Sequence, residues 1–312
     1  MNLKSNMGTF RVSVIIPVFN LAKFLSKAVI SAADLNEVGE VIIVEDGSED
    51  DSLQIGVQLE RKISKVKLLQ HPGGENRGVS ASRNLGIKEA EYPWIAFLDA
   101  DDWYFSHRFA KEHQLLKEDS RIDAVYSCTI LENYQEDLSM RYGVKKDPLE
   151  MIGHPVSDIG FYEVKLKRKW VLFHTNSITI NRSFLMKDKQ FDTRLALHED
   201  SELWNRLLRR GHFVAGEVNL PVALIRRHDN NTITRRSLAT LKKMHWVFID
   251  NVGIDSFYHF EINYLFNAIL RMESKHFQNT WTRRGYFYFL YYRNSLNKRQ
   301  YIKKFYQENA LN

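Results

Sequence analysis

Five short apolar runs, separated by helical patterns, constrain the fold of this chain more than any other feature. They are Val12–Val18, Val41–Val44, Val66–Leu69, Trp94–Leu98 and Ala124–Cys128, most of them rich in β-branched residues. Between them, segments 22–33, 52–63, 79–90 and 107–117 read as helices. Apolar strands without alternation need cover on both faces, and interleaved helices supply it. The pattern therefore predicts an α/β fold with a mostly parallel central sheet flanked by helices. Ser177–Ile180, Phe213–Gly216 and Val222–Ile225 read as further strands. Glu199–Arg210 reads as a helix with Leu203, Leu207 and Leu208 on one face, closed by Gly211. Residues 130–170 are charged and irregular and give no pattern.

With 312 residues, 44% hydrophobic and 26% charged, the chain can bury a substantial core. The single cysteine, Cys128, excludes an intrachain disulfide and a cysteine metal site, and its apolar run predicts a buried strand thiol. The net charge of +6 is unevenly spread. From Arg235 onward there are 13 Lys/Arg against 5 Asp/Glu, a net of +8, so residues 1–234 carry −2. The same tail holds 18 of the 39 aromatic residues. This break divides the chain into a domain at 1–234 and a basic, aromatic-rich helical region at 235–312. Met1–Phe10 lacks an apolar signal core, and no stretch is apolar enough to span a bilayer. These features predict a cytoplasmic protein, with a peripheral place on the inner membrane face left open.

The chemistry gathers at strand ends. Trp94–Leu98 runs directly into Asp99-Ala100-Asp101-Asp102, three carboxylates in four residues. Strands of open parallel sheets present their carboxyl ends to a ligand crevice. A hard cation such as Mg2+ or Mn2+ would relieve the repulsion there; a solvated acidic turn that caps the next helix is the alternative. The second strand ends in Glu45-Asp46-Gly47-Ser48, suited either to a base or ribose contact or to a turn and helix start. The third leads through His71-Pro72-Gly73-Gly74 to Arg77 and Arg83, cations at a helix start that suit phosphate. No P-loop signature is present, and no Gly-x-Gly-x-x-Gly follows the first strand.

The order of these pieces resembles a family 2 glycosyltransferase of the GT-A fold. The matching motifs are residues 12–20 (VSVIIPVFN), 44–48 (VEDGS), 76–87 (NRGVSASRNLGI) and 97–102 (FLDADD), within a resemblance covering about residues 11–232. It implies an inverting, metal-dependent transferase that moves a sugar from a nucleotide-sugar donor, a UDP-sugar by default. The acceptor is a hydroxyl of a saccharide or a lipid-linked molecule, with cell-surface polysaccharide synthesis the default pathway. The resemblance assigns Pro17, Phe19, Asp46, Arg83, Asn84 and Asp99 to the donor, and Asp101 with Asp99 and His228 to Mg2+ or Mn2+. It assigns Asp200 as general base and Glu199 as the residue that orients the acceptor. Glu45 stands where the family carries a first Asp, which puts only that position in doubt. Asp102 would cap or support.

Plainer readings stand beside these. Acidic residues in the first turn of a helix also complement its dipole, and Arg226-Arg227-His228 also reads as a solvated basic loop. Trp170, His174 and Trp204 suit either an acceptor site or the core. The tail from Trp281 to Tyr306 fits helices docked on the domain or a helix in a membrane interface. Nucleic acid is not an expected partner, since no recognition motif accompanies the charge. Two other functions remain open: a sugar nucleotidyltransferase, whose Gly-rich signature loop is missing, and an inactive sugar-nucleotide or carbohydrate-binding protein.

Overall fold

A computed structural model describes residues 10–132, 158–168, 173–226 and 236–309. The first strands form where the apolar runs predict them: β1 (Val12–Val18), β2 (Val38–Glu45), β3 (Val66–Gln70) and β4 (Trp94–Phe97). Helices α1 (Ala22–Ala33), α2 (Ser52–Lys62) and α3 (Val79–Glu89) alternate with them. After β5 (Trp103–Tyr104) come α4 (Ala110–Glu118), β6 (Ala124–Tyr126), β7 (Thr129–Leu131) and α5 (Asp158–Arg168). The remainder is β8 (Ile178–Asn181), α6 (Arg182–Met186), α7 (Glu199–Leu208), β9 (Phe213–Ala215), β10 (Ala223–Ile225), α8 (Leu238–Val252), α9 (His259–Ser274), α10 (Thr280–Asn294) and α11 (Lys298–Asn309).

The chain divides into two compact units. The first comprises Met1–His154, Val171–Phe191 and Gly211–His228; the second comprises Pro155–Trp170, Asp192–Arg210 and Asp229–Asn312. The second unit thus includes Pro155–Trp170 and Asp192–Arg210 as well as the chain from Asp229 on.

The first unit is built on a seven-stranded sheet in the order β3-β2-β1-β4-β8-β6-β9. Four of its pairings are parallel, and β8 runs antiparallel to both β4 and β6. Every residue of β1 is buried, as an apolar strand covered on both faces must be. Helix α3 can lie against β1 because Gly86 has no side chain: a Cβ there would come within 2.4 Å of Ile15. A second sheet has the order β5-β10-β7; its β10 falls where Val222–Ile225 predicts a strand, while β5 and β7 are too short to stand out in the sequence. Cys128 lies just past β6 and is half-buried, not the fully buried strand thiol expected.

The second unit packs α8–α11 around Phe248, Leu265, Phe266, Ile269, Leu290, Ile302 and Phe305. Ser237 opens α8 with a capping box to Thr240. Buried charges in this unit are paired. Glu261 accepts hydrogen bonds from Tyr162 Oη (2.9 Å), Arg209 Nε (2.8 Å) and the Tyr258 N–H (2.9 Å). Glu202 holds Arg206 at 2.6 Å, one turn along α7. Among the described residues, no helix is long and apolar enough to cross a membrane.

Candidate active site

The sheet order fixes where a ligand can bind. The chain extends the sheet from β1 to β2 and β3, then returns to place β4 on the other side of β1. Such a reversal opens a crevice outside the carboxyl ends of the strands that flank it, here β1 and β4. Pro17 lies in this stretch of β1, past Ile15, the last residue that pairs with β4, so its missing N–H interrupts no ladder bond on that side. Phe19, just beyond, is 44% exposed.

The loop after β2 is a scaffold. Both oxygens of Asp46 accept backbone N–H bonds from the third loop, Arg77 at 2.8 Å and Gly78 at 2.9 Å. His71 approaches the same carboxylate at 3.4 Å and Ser82 Oγ at 3.0 Å. Glu45 accepts from the Ser48 N–H (2.5 Å) and from Gln70 (2.8 Å). Gly47 (φ +74°) brings the two loops together: a Cβ there would sit 2.7 Å from the Asn76 nitrogen and the Gly74 oxygen. Asp50 accepts from the Ala22 N–H at the start of α1 and from the Ser52 N–H. Partial burial pushes the Asp50 carboxyl up, but these hydrogen bonds together hold it below its ordinary value.

The turn after β4 is different in kind. Asp99 pairs with the buried Arg83 guanidinium at 2.9 Å, and Arg83 lies over the Phe191 ring. Asp102 is buried, accepting from the Arg226 N–H (2.7 Å) and from Asn176 Nδ2 (2.5 Å). Burial first, then the carboxylates of Asp101 and Asp99, push the Asp102 carboxyl up to about 9. Its two hydrogen bonds oppose that rise without cancelling it. Three carboxyl groups thus crowd into one short turn.

Among the described residues, one set of possible ligand atoms converges: those of Asp99, Asp102 and His174 lie within 4.8 Å of one another. Oxygen donors with one imidazole suit Mn2+ and, less fully, Mg2+. Crowded carboxyl groups and convergent donors fit a divalent cation at this turn. Asp101, the metal ligand expected from sequence, is not in that set, and His228, Trp170 and Arg227 lie outside the described residues. Asn84 uses both ends of its amide on the Phe191 backbone, at 2.8 and 3.0 Å, and so braces the segment under Arg83.

Asn176 and Arg108 went unseen in the sequence. Asn176, wholly buried, accepts the Asp99 N–H at 3.0 Å while donating to Asp102, and so fixes both ends of the acidic turn. Arg108, also wholly buried, holds the Asn176 and Ile178 carbonyls and the Glu112 carboxylate. Neither sits in a pattern that composition or periodicity exposes. In the second unit, Glu199 and Asp200 open α7 after His198, whose backbone is left-handed (φ 64°). Asp200 accepts the Ser201 N–H at 2.6 Å, and Trp204 is buried. Burial pushes the amine of Lys165 on α5 down to about 8, and Asp200 pulls it back up.

An acidic turn at the point where strand order reverses can hold a cation and, through it, a diphosphate. The model of the family described as Glycosyl transferase family 2 matches residues 13–180, more than half of the chain. The chain belongs to that family.

The chain is 28% identical over 204 residues to the succinoglycan biosynthesis protein ExoU of Rhizobium meliloti (strain 1021), covering 64% of this chain and 57% of that protein. It is 33% identical over 102 residues to an uncharacterized glycosyltransferase of Haemophilus influenzae, covering 32% of this chain and 40% of that one. The chain thus spans less than two thirds of the length of these curated relatives. Its fold is similar to S. aureus TarS 1-349 in complex with UDP-GlcNAc (TM-score 0.59, 18% identity, 86% of this chain and 72% of that one). It is also similar to the mannosyltransferase PcManGT from Pyrobaculum calidifontis in complex with GDP-Man and Mn2+ (TM-score 0.56, 16% identity, 92% and 75%). At such identities the likeness speaks for the GT-A architecture alone.

Proposed function

We propose that this transferase is inverting and metal-dependent, and that it moves a sugar from a UDP-sugar to a hydroxyl of a saccharide or lipid-linked acceptor in cell-surface polysaccharide synthesis. The observation that carries the reading is the convergence of the ligand atoms of Asp99, Asp102 and His174 in a crowded acidic turn, at the crevice the strand order opens. The complexes of the structural neighbours with UDP-GlcNAc and with GDP-Man and Mn2+ support a nucleotide-sugar donor and a divalent cation. The name of the succinoglycan relative supports the pathway.

In this reading Phe19 and the Asp46 loop receive the base and ribose. Asp101 and Asp99 hold Mg2+ or Mn2+, with Asp102, His174 or His228 completing or supporting the set. The cation's chemistry is to neutralise the charge that a departing nucleoside diphosphate gains. Arg83, paired with Asp99, keeps a fixed positive charge beside the same oxygens. Asp200 removes the proton of the acceptor hydroxyl as that oxygen attacks the anomeric carbon, a task for a carboxylate within hydrogen-bond reach. Glu199 orients the acceptor. Attack from the side opposite the leaving group inverts the anomeric centre.

The test is calorimetric titration of UDP-, GDP- and dTDP-sugars with and without Mn2+. Metal-dependent binding of a UDP-sugar, lost in Asp101→Ala, is expected. Equal binding with and without metal would overturn the metal assignment, and preference for another nucleotide would overturn the UDP assignment.

A further inference from the structure

We propose that the exposed face of α10 seats the protein on the surface of an anionic lipid bilayer. The sequence reading places aromatic residues on one face of the tail helices and cations on the other. The structure arranges α10 differently. Leu290 is buried, and Tyr286, Phe287 and Tyr291 pack inward against the helical core. Trp281 (80% exposed), Tyr288, Phe289, Tyr292 (74%) and, just past the helix, Leu296 (95%) face solvent. Their spacing of i, i+7, i+8, i+11 and i+15 puts them on one side of a helix, with Gly285 between them. A stripe of large apolar side chains this continuous marks a contact surface.

Charge decides what the surface meets. Arg284 and Arg293 are exposed and flank the stripe, one on each side by helical position. Residues 280–309 carry seven Lys/Arg against one Asp/Glu, a net of +6. On α11, Arg299 and Lys303 pair with the exposed Asp255. Tryptophan and tyrosine favour the boundary between lipid headgroups and acyl chains, and cations beside them favour anionic headgroups. A second copy of this chain is a poorer occupant: a two-fold contact through the stripe would set Arg284 and Arg293 against their own copies. The inference needs no nucleotide-sugar and stands apart from the donor chemistry.

The experiment is co-sedimentation of the full chain, without donor, with vesicles of phosphatidylcholine alone and of phosphatidylcholine mixed with phosphatidylglycerol. Binding to the mixed vesicles at low salt, weak on the neutral ones and weakened by salt, is expected. Arg284→Glu with Arg293→Glu should weaken it by more than tenfold, at roughly fivefold per cation removed. Tyr288→Ser with Phe289→Ser and Tyr292→Ser should abolish it while leaving the melting temperature near wild type, since all three side chains are exposed. Quenching of wild-type fluorescence by brominated acyl chains, absent in Trp281→Phe, provides a reading that needs no destabilised variant. Wild-type protein that stays in the supernatant with anionic vesicles overturns the proposal. So does undiminished binding by the serine variant, or a dimer in light scattering that the serine variant dissolves.

Discussion

The two units bury carboxylates in opposite ways. In the helical unit, Glu261 meets Arg209, a tyrosine hydroxyl and a backbone N–H, and Glu202 meets Arg206 and Asn251. In the sheet unit, Asp99, Asp101 and Asp102 crowd into one turn, where Asp99 pairs with Arg83 and where burial and the two neighbouring carboxylates push Asp102 up to about 9. The first arrangement joins acid to base, so its charges serve the fold. The second sets carboxyl groups beside one another, which perturbs a titratable group and marks a candidate functional site. What each acid faces thus separates structural acids from functional ones more sharply than burial does.

The largest effects test each side of this contrast. Asp200→Asn should lower kcat by about 10²–10⁴, the range for a lost general base, with donor affinity unchanged. Turnover near wild type would remove Asp200 from the mechanism. Glu261→Ala should cost about 3–5 kcal/mol, because it strands the Arg209 guanidinium in a largely buried site. A chemical denaturation midpoint close to wild type would show that the helical unit does not depend on its pairs.

Asp101→Asn should behave the other way round. Losing one of three crowded carboxylates should leave metal-free stability within about 0.5 kcal/mol of wild type or above it. Donor affinity in Mn2+ should fall by at least about tenfold, equivalent to about 1.4 kcal/mol. A variant that loses stability and keeps its donor affinity would make the acidic turn a structural device like Glu261.

How far the sequence anticipates this contrast depends on how local each feature is. The strands β1 to β4, the Asp46 loop and the Asp99 turn follow from apolar runs that stop at polar residues, and a chain pattern carries that information. The completeness of a charge's surroundings does not follow. Asn176 reaches Asp99 and Asp102 from 74 to 77 residues away, and Asp102 is clipped to Arg226 across 124. Neither partner sits at a recognisable spacing. The same limit applies to α10, where Tyr288 and Tyr291 look alike in sequence but packing exposes the first and turns the second inward. β8 reads correctly as a strand, but its antiparallel direction depends on which edge it reaches.

The smallest effect probes an uncharged member of the helical unit. His245 on α8 is buried, with Nδ1 2.9 Å from the Leu241 carbonyl and its ring stacked near Tyr264. Burial holds its imidazole below the ordinary value, and the nearby His198 adds to the effect. The folded chain therefore keeps His245 neutral at a pH where the unfolded chain begins to protonate it, near about 6.5. Below that pH the unfolded state binds more protons than the folded one. Stability from this site is accordingly full above about 6.5 and is lost as pH falls through the lowered folded value. His245→Phe keeps a ring beside Tyr264 and removes the titration, so its melting temperature should decline less between pH 7 and pH 5 than that of the wild type. Parallel declines would mean that acid loosens the helical unit elsewhere, for instance at His198, whose imidazole burial also holds below its ordinary value.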